Sequence, residues 1–104
     1  MAVVSMMRIA GDADELAAKM REMREWMVPL AESHGALANI VARDRGGGLL
    51  VVNVWETEEG RHAMAQEPEV RAALEGAGIG PPAFEGYEII DLNLTERIAA
   101  KASA

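Results

Sequence analysis

The chain has 104 residues, half of them hydrophobic and 26% charged, with a net charge of −7 and no cysteine. The negative charge argues against wrapping nucleic acid or docking on anionic lipid. Missing cysteines exclude disulfides, thiolate nucleophiles, iron–sulfur clusters and thiolate zinc sites. No segment reaches the roughly 18 apolar residues of a membrane-spanning helix. The apolar start, Met1 to Ile9, lacks the basic flank and cleavage site of a signal peptide. These features predict one cytoplasmic domain over residues 1–94, followed by a tail at 95–104 that frays or forms a short helix.

Ala2 to Ile9 reads as a first strand, closed by Ala10-Gly11-Asp12. Asp12 with Glu15 forms an aspartate version of a capping box. The helix that follows carries Leu16, Met20, Met23, Met27, Leu30 and His34 at alternating three- and four-residue spacings, one stripe of a helix surface. Pro29 removes an amide donor and should bend it, and Gly35 suits a left-handed C-cap. A strand from Ala36 to Arg43, a turn at Asp44 to Gly48 and a strand from Leu49 to Trp55 form a hairpin. Thr57 caps a helix over about Glu58 to Gln66, Pro68 restarts helix to near Gly76, and a last strand spans about Phe84 to Leu94.

The order β-α-β-β-α-β predicts an α+β, ferredoxin-like fold with an antiparallel sheet. Leu49 and Val51 lie on one face of their strand, and Leu50, Val52 and Val54 on the other. A sheet with helices on one side should leave its second face wet. An apolar second face therefore predicts a homodimer formed through the sheet.

The glycine clusters read as turns, because Gly76-x-Gly-x-Gly80 follows a helix instead of opening one. Glu58 and His62 share a helix face, but a solvated pair is the commoner meaning, and no metal site is expected. His34, at the C-terminal end of the long helix, is the candidate acid or base; a helix cap is the alternative role. Methionines 6, 7, 20, 23, 27 and 64 come from the first strand and both helices. They either fill a core or line an adaptable apolar site. Asn39, Asn53, Trp55 and Tyr87 place polar and aromatic groups on otherwise apolar strands, Asn53 and Trp55 on the same face. The candidate ligand-binding set is accordingly Met7, Met23, Met27, Asn53, Trp55, Met64 and Tyr87.

The strand-to-helix junction Val54-Trp-Glu-Thr-Glu-Glu59, with Pro68-Glu-Val70 downstream, resembles that of the antibiotic-biosynthesis-monooxygenase-like family. The resemblance implies a homodimeric α+β barrel holding a small hydrophobic or aromatic ligand between sheet and helices. It further implies oxygenation of a phenolic or quinol substrate without any cofactor; a non-catalytic ligand-binding or accessory dimer is the alternative. The haem-degrading branch carries asparagine, tryptophan and histidine where Met7, Met64 and Leu74 stand here, so haem degradation is not expected.

Overall fold

The computed structural model describes residues 1–79 and 83–94. Its elements are β1 (Val3–Ile9), α1 (Ala13–Ser33), β2 (Ala36–Arg43), β3 (Leu49–Trp55), α2 (Glu58–Gln66), α3 (Pro68–Gly76) and β4 (Phe84–Glu88). The four strands form one sheet in the order β2-β3-β1-β4, with every neighbouring pair antiparallel. This is the expected ferredoxin-like α+β arrangement, with its second helical unit split into α2 and α3 at Glu67 and Pro68. The expected tail from Thr95 to Ala104 lies outside the described residues.

Local signals set the helix ends. The Asp12 carboxylate accepts from the Glu15 amide at 2.9 Å, and the Thr57 hydroxyl accepts from the Gly60 amide at 3.0 Å. Each takes up an amide that the first turn of a helix leaves without an intrahelical partner. Helix α1 runs through Pro29 and stops at His34 and Gly35, whose φ of +90° suits glycine. The Gly35 carbonyl then accepts from the Glu56 amide at 2.8 Å, tying the end of α1 to the exit of β3. At the hairpin, a side chain on Gly48 (φ +79°) would collide with the Ile9 carbonyl, so this turn requires glycine twice over.

The last strand is shorter than its sequence suggests. Apolar alternation continues through Ile90, Leu92 and Leu94, but β4 pairs only with β1, which begins at Val3. One more bond, from the Ile89 amide to the Ala2 carbonyl, completes the ladder. Beyond it no strand among the described residues lies beside the backbone, and Ile90 is 97% exposed.

The helices cover one face of the sheet, and the core beneath them has two centres. One comprises Met7, Ile9, Ala13, Leu16, Leu49, Val51 and Ile79, with Met20 and Val41 packed against it. The other comprises Val3, Trp55, Met64 and Val70, with Met27, Leu30 and Ala36 packed against it. The opposite face carries Val4 and Met6 of β1, Ala38 and Ile40 of β2, and Leu50, Val52 and Val54 of β3. No helix among the described residues covers that face, and Ile40 is 55% exposed.

Candidate functional site

Between the two apolar centres the helix-facing side of the sheet turns polar. Ser5, Asn53 and Asn39 sit side by side on β1, β3 and β2, in register. Asn53 is flanked along its own strand by Val51 of one centre and Trp55 of the other. Ser5 is only 1% exposed, and its hydroxyl accepts from the Trp55 indole N–H at 3.3 Å. The Asn39 amide N–H donates to the Asn53 side-chain carbonyl at 2.5 Å. Asn53 is half-buried and Asn39 exposed, so the row opens to solvent toward the β2 edge.

Helix α1 crosses this row with its methionine stripe. Met20 packs on the first centre and Met27 on the second, whereas Met23, between them, belongs to neither and is half-buried. The zone between the two centres thus combines a polar strip on the sheet with flexible thioethers on α1, chemistry suited to a flat apolar molecule with one or two polar atoms.

The expected site residues divide by location. Met7 and Met64 are buried in different centres. Asn53 and Trp55 share the helix-facing side, with Met23 and Met27 supplied by α1. Tyr87 does not join them: it pairs with Val4, on the other face of the sheet, and its hydroxyl donates to Glu85 at 2.8 Å. The pairing register decides this, because parity along β4 says nothing about β3 until the register is known. His34 is also elsewhere. It is the C-cap of α1, and its Nε2 lies 2.8 Å from Glu67 Oε1 at the α2–α3 break. His34, Asn53 and Tyr87 therefore do not converge on one cavity.

Ser5 is the residue that the sequence reading missed. Its signal was its parity with Val3, Met7 and Ile9, a lone hydroxyl on a buried set.

An open groove of about 340 Å³ lies elsewhere, between β4 and α2. It is lined by Val3, Glu58, Arg61, Phe84, Gly86, Tyr87 and Glu88. Arg61 donates from Nε and Nη2 to Glu58 Oε1, at 2.8 and 2.5 Å, and its guanidinium lies 5.3 Å from the Phe84 ring centre. The hydrogen bonds from Arg61 hold the Glu58 carboxyl below the ordinary carboxylate range. Among the described residues no group of three or more histidine, aspartate or glutamate side chains is placed to hold a metal ion.

Solved structures share this architecture over nearly their whole length. Rv0793 from Mycobacterium tuberculosis matches with a TM-score of 0.62 at 15% identity, over 88% of this chain and 98% of that one. An inferred antibiotic biosynthesis monooxygenase from Bordetella bronchiseptica matches with a TM-score of 0.66 at 14% identity, over 86% and 97%. The chain has the antibiotic-biosynthesis-monooxygenase fold. SnoaB, a cofactor-independent oxygenase from Streptomyces nogalater, shares it with a TM-score of 0.61 at 9% identity, over 88% and 93%. No protein-family model and no curated protein sequence matches the chain.

Proposed function

We propose that this protein binds a small hydrophobic or aromatic molecule over the polar row between its two core centres and oxygenates a phenolic or quinol substrate there without a cofactor. The observation that carries this reading is the polar row of Ser5, Asn53 and Asn39, enclosed by apolar residues on both sides and open at one edge. The fold shared with SnoaB supports it, since that protein is a cofactor-independent oxygenase.

In such a reaction a hydroxyanthrone methylene loses a proton, its carbanion reduces dioxygen, and the carbon becomes a carbonyl as water leaves. The methionine stripe would hold the rings. The Asn53 amide would donate to the oxygen that gains negative charge, and the proton would pass to solvent at the β2 edge. Removing one donor of this kind typically costs on the order of 100-fold or more in turnover. Oxygen uptake with a panel of hydroxyanthrones tests the reading: one dioxygen consumed per substrate is expected, with Asn53→Ala much slower. The absence of both turnover and binding across the panel would overturn it.

One observation favours a second reading, a ligand-binding protein without catalysis. Among the described residues no histidine or carboxylate hydrogen-bonds to Asn39 or Asn53, and His34, the expected base, is engaged with Glu67. Tight binding without oxygen uptake would decide for it. Under both readings the protein self-associates through the uncovered sheet face.

A further inference from the structure

An asparagine side chain offers a donor at one end and an acceptor at the other. What it presents to a ligand therefore depends on which end a neighbour has already taken. Asn53 Oδ1 is taken by the Nδ2–H of Asn39. Among the described residues no acceptor engages Asn53 Nδ2, and no buried side-chain nitrogen or oxygen lacks a partner. Asn53 Nδ2 is thus accessible, on the helix-facing side of the sheet, beneath the stripe that carries Met23.

We infer that Asn39 is a positioning residue that fixes the Asn53 amide with its N–H groups toward the ligand, making the site selective for a hydrogen-bond acceptor, a carbonyl or phenolate oxygen. Asn39 lies on the exposed edge strand and bears on the proposed site through its bond to Asn53. Its contribution is the direction of one amide. Replacing it by a carboxylate, which accepts only, removes the donor and turns the Asn53 amide over. Nδ2 then faces β2, and Oδ1 faces the ligand. Acceptor selectivity becomes donor selectivity with no change in the apolar walls.

Side-chain amide NMR tests the orientation directly, with no ligand present. In the wild type, one Asn39 side-chain proton should be shifted downfield and protected from exchange, while both Asn53 protons exchange with water. In Asn39→Asp, one Asn53 proton should become the protected one. A protected Asn53 proton in the wild type, or no change in Asn53 in the variant, would overturn the inference.

Two probes test the selectivity, which rests on the binding reading above: anthraquinone, which can only accept, and 2-naphthol, which can donate. Asn39→Asp should weaken anthraquinone on the order of tenfold, the usual effect of leaving a polar atom facing its like, and leave 2-naphthol equal or tighter. Asn39→Gln, which retains the donor, should keep the wild-type preference. Unchanged selectivity in Asn39→Asp would overturn the inference and leave the binding reading standing. Failure of the wild type to bind either probe would overturn the acceptor selectivity and count against the binding reading, while the amide orientation would still be decided by the NMR arm.

Discussion

The Trp55 indole N–H ends on the hydroxyl of Ser5, 3.3 Å away, on adjacent strands and beneath the helices. Both residues are at least nine-tenths buried, so water cannot replace either partner. Ser5→Ala should therefore leave an indole donor unpaired and destabilise the fold by about 1–3 kcal/mol. Urea denaturation measures it. Adding Trp55→Phe, which removes the orphaned donor, should cost less in the Ser5→Ala background than in the wild type.

Gly60→Ala should destabilise the protein although the position is helical. Helix propensity alone would favour alanine by about 1 kcal/mol. A Cβ there would overlap the His34 carbonyl, a backbone group fixed by the end of α1. Overpacking against a fixed group commonly costs about 1–3 kcal/mol, so steric cost should win. A melting temperature below that of the wild type is expected.

Tyr87 is the chain's single tyrosine, so its ionisation can be followed by ultraviolet absorbance alone. Its hydrogen bond to Glu85 raises its pKa above the ordinary 10.0, with the Glu85 charge acting in the same direction. A raised folded-state value favours the protonated phenol. The stability it contributes is present in full below the unfolded value near 10 and is lost as pH rises through the folded value. Absorbance should show titration above that of a free tyrosine, and Glu85→Gln should bring it down toward the ordinary value.

The elements were legible because their signals are local. Asp12 and Thr57 cap helices, Pro68 restarts one, and alternation marks β1 and β3. The error in β4 had a non-local cause: Ile90, Leu92 and Leu94 alternate as a strand would, but the β1–β4 ladder stops at the Ile89–Ala2 bond and no described strand pairs with them. The site was half legible for the same reason. Asn53 and Trp55 lie two apart on one strand, which fixes their common face. The Tyr87 face, the His34–Glu67 contact and the Asn39–Asn53 bond all depend on register and helix placement between elements. Sequence spacing does not contain those.

Self-association should depend on Val52, which stands between Met6 and Ile40 on the uncovered face. Sedimentation velocity should show a wild-type dimer and a monomeric Val52→Asp, since a carboxylate there would have to be desolvated at the interface. Circular dichroism close to wild type would confirm that the variant folds. A wild type that sediments as a monomer would refute the dimer.

The central claim is that the ligand lies over Asn53, between the two core centres. Methyl and side-chain amide NMR during titration with a hydroxyanthraquinone tests it most directly. The expected result is perturbation of the Met20, Met23 and Met27 methyls and the Asn39 and Asn53 amides. Perturbation confined to the methyls of Val3 in the β4–α2 groove, or to those of Ile40 and Val52 on the far face, would contradict it.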